Sequence, residues 1–292
     1  MFFRQVKIIL EMIKFEHTIF ALPFAIMSAF LAAEGLPGKS DLFWIVLAMV
    51  GARSCAMAFN RLADAEIDNR NPRTQTRAIP AGLLKKTDVL IFVVLSACLL
   101  VVSAYQLNPL AFKLSPVALA IIMLYSYTKR FTSLAHLWLG LSLSIAPIGA
   151  WIAIQGRFNL LPILLGISVM LWTAGFDIIY ACQDFDFDKS FGLHSIPVKF
   201  GVRAALWISN LLHVVTVCLL IIIAEISQLG WIYMVGVGAV AVILIYEHLI
   251  VKPNDLSRVN LAFFTLNGAV SLILMALAIA DVMLNTSSSP LA

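Results

Sequence analysis

Asn60-Arg61-Leu62-Ala63-Asp64-Ala65-Glu66-Ile67-Asp68 closes one long apolar run of the chain, and Tyr180-Ala181-Cys182-Gln183-Asp184-Phe185-Asp186-Phe187-Asp188 closes another. Each stretch carries an Asp-x-x-x-Asp pair, and each is followed in the next loop by an Ile-Pro step, Ile79-Pro80 or Ile196-Pro197. Such matching ends on one chain point to a duplicated unit. Residues four apart lie on one face of a helix, so each pair presents two carboxylates in a single direction. The runs behind them are long enough to cross a bilayer, which makes these ends the acidic rims of membrane helices.

Working outward, the rest of the chain agrees. Of 292 residues, 61% are hydrophobic and 12% charged, against roughly 45–50% and 25% in an average soluble domain. This composition excludes a disordered chain and a nucleic-acid-binding domain, and it predicts an all-α integral membrane protein, with residues 1–292 forming a single domain. Apolar runs place nine transmembrane helices at about 15–34, 41–68, 87–107, 109–127, 134–154, 160–187, 202–226, 229–251 and 257–281. Short turn-forming clusters such as Gly35-Leu36-Pro37-Gly38 and Lys252-Pro253-Asn254-Asp255 separate them. The four cysteines lie inside apolar runs without metal or redox spacing and read as packing residues. Glu11 and Glu16 interrupt the basic lead-in to the first run, so that run is expected to be a retained helix rather than a cleaved signal.

The net charge of +4 reads as topology. Sixteen of the 20 Lys and Arg fall in the N-terminal segment or at the ends and connections after even-numbered helices; Lys39, Lys113 and Arg157 fall opposite, and Arg53 lies within the second helix. The positive-inside rule then puts the N-terminus and both acidic ends on the cytoplasmic side of a bacterial-type inner membrane. The two halves are therefore parallel repeats. A transporter of a cation or an anionic metabolite is the competing function, but it would more naturally use inverted repeats and a midplane site.

Four carboxylates gathered at a membrane surface repel one another unless a cation sits among them, and oxygen ligands favour a hard ion such as Mg²⁺ that completes its shell with phosphate oxygens. Solvated helix ends are the plain alternative, weakened by the pairs' recurrence. Arg53, Asn60, Asp64 and Asp68 form one stripe at helical spacing, and Asp177, Tyr180, Asp184 and Asp188 form a second. An intramembrane Arg53 or Asp177 marks a functional cavity, or else an ion pair locking the two helices together. Arg73 and Arg77 after the first acidic end, and Tyr125, Lys129 and Arg130 near the fourth helix end, are candidates to grip an anion. A diphosphate suits both sets, since guanidinium groups match phosphate and a metal bridges to carboxylates. Topology alone would also account for basic residues here. A lipid-tailed diphosphate fits a protein with 19 Phe and 6 Trp, whose aromatic faces could also steady an allylic cation.

With these residues assembled, the chain resembles the UbiA superfamily of intramembrane prenyltransferases, over nearly its whole length. The family's first motif, Asn-Asp-x-x-Asp-x-x-x-Asp, stands here as Asn60-Arg61-x-x-Asp64-x-x-x-Asp68, with Arg61 in place of an Asp; the second matches Asp184 and Asp188. Arg73-Thr74-x-x-Arg77-x-x-Pro80-x-Gly82, Asp177-x-x-Tyr180 and Tyr125-x-x-x-Lys129-Arg130 are similar to segments of its 4-hydroxybenzoate branch, while Lys189 lies one residue before the usual lysine position. The resemblance implies nine helices around a central cavity. It also implies Mg²⁺ held by Asp64, Asp68, Asp184 and Asp188 as the catalytic centre, with Arg53, Asn60, Arg73, Arg77, Tyr125, Lys129, Arg130, Asp177, Tyr180 and Lys189 around the substrates. Its implied reaction joins a polyprenyl diphosphate to an aromatic acid acceptor, expected to be 4-hydroxybenzoate in ubiquinone-type synthesis, or another aromatic acid in menaquinone synthesis.

Overall fold

A computed structural model describes residues 2–13 and 15–288. The chain opens with helix α1 (Phe2–Met12), a 3₁₀ turn (Phe15–Phe20) and α2 (Leu22–Ala33). The first half continues with α3 (Lys39–Ala63), the short α4 (Ala65–Arg70), α5 (Lys86–Leu107) and α6 (Pro109–Thr128). Then follow α7 (Ala135–Gln155), α8 (Leu160–Ala181), the short α9 (Phe185–Phe191) and α10 (Ile196–Phe200), α11 (Val202–Ile226) and α12 (Trp231–Ile250). A π turn (Leu261–Leu266) leads into α13 (Asn267–Ser288). Among the described residues there is no strand, only an isolated bridge between Lys252 and Asp255.

Eight helical stretches are long and apolar enough to cross a membrane, and the first expected span is a shorter apolar helix over Thr18–Ala33. Large apolar side chains face outward, with Trp207 71% and Trp231 75% exposed. Such exposure is costly in water and ordinary against lipid. The chain is an integral, multi-pass membrane protein.

Hydrophobic burial does not pull helices together in lipid, so close backbone contact takes its place. α3 packs along α5, and a Cβ added at Gly51 would stand 2.7 Å from the Leu100 nitrogen. α7 packs along α8 in the same manner, with Gly140 against the Met170 carbonyl. Opposite the acidic ends, buried Asp281 of α13 accepts from Gly230 N at 2.7 Å and Tyr233 N at 3.3 Å, which satisfies free amides at the start of α12.

Both acidic helices break where the sequence predicts continuity. α3 ends at Ala63 rather than running to 68, and Asp64 takes φ −94°, ψ 6° before α4 begins. α8 ends at Ala181 rather than near 187, passes through a 3₁₀ turn at Cys182–Asp184, and Asp184 takes φ −98°, ψ 8° before α9. These are nearly the same bridge-region conformation, one sparsely used outside turns and functional sites. The cause is visible at Asp64: Arg130 donates to the Ala63 carbonyl that the interrupted helix leaves open, and also to the Asp64 carboxylate at 3.3 Å.

Candidate active site

The two breaks bring α4 and α9 to the same polar pocket, a cavity of about 170 Å³. Five aspartates line it, and three of them, Asp64, Asp68 and Asp184, are paired with Lys or Arg. Asp64 receives Lys129 at 3.0 Å, Arg130 at 3.3 Å and the Asn60 amide at 3.1 Å. Asp68 receives Arg77 at 2.7 Å. Arg73 reaches across from the other half and makes two parallel bonds to Asp184, Nε to Oδ1 at 2.8 Å and Nη2 to Oδ2 at 2.5 Å, while Nη1 donates to the Tyr180 hydroxyl at 3.0 Å. Burial disfavours the charged guanidinium of Arg73, but its bonds to Asp184 and Tyr180 outweigh this and hold its pKa above the ordinary value. Asp188 lies in the pocket without an ion pair among the described residues.

Loop geometry places these cations. Asn71 Oδ1 accepts from Arg73 N at 2.9 Å, a side-chain-closed turn that starts the Arg73–Arg77 segment, and Thr74 Oγ1 donates to the Asp68 carbonyl at 3.2 Å. On the other side, His194 N donates to the Lys129 carbonyl at 2.8 Å and fastens the loop after α9 over the pocket.

A second cavity of about 310 Å³ adjoins the first. Its walls come from α3, α5, α6 and α7 and are almost wholly aliphatic, with Ala48, Ala52, Ala56, Ala118 and Gly149 leaving the space open. Asn60 and Tyr125 line both cavities and mark where polar gives way to apolar.

Of the residues the sequence singled out, Asn60, Asp64, Asp68, Arg73, Arg77, Tyr125, Lys129, Asp177, Tyr180, Asp184 and Asp188 all line the polar pocket. Arg130 touches it through Asp64. Arg53 and Asp177 do not share a cavity: Arg53 lines the apolar one, while Asp177 bonds His136 at 2.7 Å. Lys189 points away, exposed, with its ammonium 5.7 Å from the Phe185 ring centre. Of the buried ionisable side chains that line the pocket, two lie outside the sequence-based set of site residues. Arg61, 8% exposed, donates to the Met12 carbonyl at the end of α1 and to Asn60 Oδ1. Buried His136, at the start of α7, was readable only as a lone histidine in an apolar run that could answer Asp177.

The donor set fits a hard cation. Carboxylate oxygens of two helix breaks face one pocket, and the buried Oδ2 of Asp68 has no hydrogen-bond partner. Among the described residues, however, no three His, Cys, Asp or Glu side chains are grouped closely enough to hold a metal by themselves. Cations stand between the aspartates, so an anion that drew those cations away would free the carboxylates.

A family model described as the UbiA prenyltransferase family matches residues 21–280. A 4-hydroxybenzoate octaprenyltransferase of Aliivibrio fischeri is 33% identical over 252 residues, 85% of this chain and 87% of that protein. Another from Vibrio campbellii is 30% identical over 253 residues, 86% of this chain and 88% of that protein. Among solved structures, the apo form of a UbiA homolog from Aeropyrum pernix K1 superposes with a TM-score of 0.84 at 37% identity, covering 92% of this chain and 98% of that one. A UbiA homolog from Archaeoglobus fulgidus bound to DMAPP and Mg²⁺ shares the fold at a TM-score of 0.72 and 20% identity, over 94% of this chain and 98% of its own. With its two acidic helix breaks meeting in one pocket, the chain belongs to the UbiA prenyltransferase family and is a membrane prenyltransferase.

Proposed function

We propose that this protein transfers a polyprenyl group from a polyprenyl diphosphate to the ring of 4-hydroxybenzoate, with Mg²⁺, at the cytoplasmic side of a bacterial inner membrane, in ubiquinone-type quinone synthesis. The observation that carries this reading is the junction at Asn60 and Tyr125, where a pocket of Asp, Arg and Lys meets an aliphatic cavity. A diphosphate head and a hydrocarbon tail need those two environments in contact. From Asn60 to Ile45, both lining the apolar cavity, α3 runs about 22 Å at 1.5 Å per residue, room for several isoprene units. The relatives named as 4-hydroxybenzoate octaprenyltransferases support the acceptor.

In this reading Arg73, Arg77 and Lys129 turn from their aspartates to the outer oxygens of the diphosphate, where guanidinium forks match phosphate geometry. Asp64, Asp68, Asp184 and Asp188 would hold Mg²⁺, which when bound offsets the charge that develops on the leaving diphosphate. Tyr180, fixed by Arg73, and Asn60, fixed on Asp64, keep the edges of the site in place. The aliphatic walls keep water from the allylic centre. Arg53, the charged residue in the lining of the apolar cavity, suits the carboxylate of the acceptor.

Membranes carrying the protein, given radiolabelled 4-hydroxybenzoate, a polyprenyl diphosphate and either Mg²⁺ or EDTA, test this directly. Label should enter the organic phase with Mg²⁺ and stay aqueous with EDTA. Diphosphate release only with a different aromatic acid would overturn the acceptor; no release with any acceptor would overturn the reaction.

A further inference from the structure

Among the described residues, Asp177 is the pocket carboxylate whose partner is a histidine rather than a Lys or Arg. Its Oδ2 lies 2.7 Å from Nδ1 of His136, a residue only 4% exposed, and its Oδ1 takes no hydrogen bond among the described residues. The other face of the imidazole settles which nitrogen carries the proton. The backbone N–H of Ile196 donates to His136 Nε2 at 3.3 Å, so Nε2 must offer its lone pair, and the proton belongs on Nδ1, pointing at Asp177. The ring is thus a neutral donor held from both sides. Ile196 begins α10, at the end of the loop that follows the second acidic break, and Leu193, His194 and Ser195 of that loop line the pocket. One side chain therefore ties α7, α8 and the pocket's covering loop.

We infer that His136 is a positioning residue that fixes Asp177 so that its second oxygen receives the hydroxyl of the aromatic acceptor. This rests on the prenyl-transfer reading above. A carboxylate is an acceptor-only group, so its ligand must donate. With no Lys or Arg paired to it among the described residues, it repels a diphosphate, whereas the Arg73, Arg77 and Lys129 region attracts one; the pocket is divided by charge into a place for the anion and a place for a donor. A hydroxyl bonded to a carboxylate makes its ring more electron-rich, which is the property the transfer demands. His136 does not touch the reacting atoms. It sets the angle of Asp177 and, being neutral, leaves the full negative charge on it.

Three variants in the full-length protein test the assignment: His136→Leu removes both hydrogen bonds, His136→Asn keeps a donor near the Nδ1 position, and Asp177→Asn weakens the acceptor. His136→Leu should lower kcat/KM for 4-hydroxybenzoate about 10- to 100-fold, as expected when the partner orienting a functional group is lost. The affinity for inorganic diphosphate with Mg²⁺ should stay within about 2-fold, and His136→Asn should recover most of the loss. His136→Leu combined with Asp177→Asn should be no worse than the poorer single variant. Multiplying losses, or an equal loss of diphosphate affinity, would overturn the inference. ¹⁵N-histidine NMR gives a readout independent of turnover: one resonance pair with a protonated Nδ1 and a bare Nε2, absent in both His136 variants. An Nε2–H signature in an enzyme that transfers prenyl groups would overturn this pairing alone. Absence of transfer with the Nδ1–H signature present would overturn the function proposed above, and with it the acceptor role of Asp177.

Discussion

The two halves of the molecule end alike and are filled differently. Asp64 and Asp184 break their helices with φ and ψ within a few degrees of each other, and each break is held by a cation, from Lys129 and Arg130 in one case and Arg73 in the other. Behind Asp64, small residues on α3, α6 and α7 leave an aliphatic cavity of about 310 Å³. Behind Asp184, rings take up the space: Phe176 stacks edge-on to Trp172 at 4.9 Å and to Phe263 at 5.2 Å, and Tyr180 meets Phe263 at 4.2 Å. Duplication supplies two copies of the chemical end. Side-chain volume then decides which half can admit a chain.

The comparison breaks most severely if the paired ends are unnecessary. Asp64→Asn and Asp184→Asn should each cut prenyl transfer by about 10³-fold or more, given the charge stabilisation that a metal and its carboxylates provide, while the proteins still insert and purify. Normal turnover in both would remove the metal-bridged diphosphate from the account. In the filled half, Phe176→Ala should destabilise the protein by about 3–5 kcal/mol, the usual penalty for a large cavity in a packed region, seen as a lower melting temperature in detergent. Should it instead leave stability unchanged, the aromatic half is not the tightly packed one. In the open half the effect should depend on the substrate: Ala48→Phe, about 18 Å along α3 from Asn60, should slow transfer from a long polyprenyl diphosphate about 10-fold, the effect of a modest misfit in an apolar pocket, and spare geranyl diphosphate. Equal loss with both donors would move the tail elsewhere. Smallest of all, Lys189→Ala should change kcat/KM by less than about 2-fold, because this exposed ammonium rests on Phe185 and a surface contact of that kind contributes little.

Much of this was legible in the residues. Eight of the nine expected spans are present as long apolar helices, and the acidic pairs, with Arg73 and Arg77 of the following loop and Lys129 at the end of α6, line one pocket. Long hydrophobic runs and i, i+4 pairs are local signals, and local signals survive folding. The helix breaks at Asp64 and Asp184 were not legible, because their cause lies at residues distant in the chain: Arg130 takes the Ala63 carbonyl from 67 positions away. The first helix is shorter than the 15–34 run because a 3₁₀ turn occupies Phe15–Phe20. The last begins with a π turn, where Asn267 Nδ2 bonds the Ala262 carbonyl at 2.9 Å. His136 is not legible in the sequence for the same reason as the breaks, since its meaning comes from Asp177 and from the Ile196 amide, each in another element.

The aliphatic cavity has a consequence for what can be recognised within a bilayer. In water, covering an apolar tail is a driving force in itself; a tail that starts in lipid is already among hydrocarbon and gains little by exchanging one apolar neighbourhood for another. On the function proposed above, discrimination between the prenyl donor and the vast excess of surrounding acyl chains must then come from the charged end, where Arg73, Arg77 and Lys129 would meet a diphosphate that ordinary phospholipids lack. On that reading the cavity beyond Asn60 would act as a gauge of length and shape, and the polar pocket would supply the affinity.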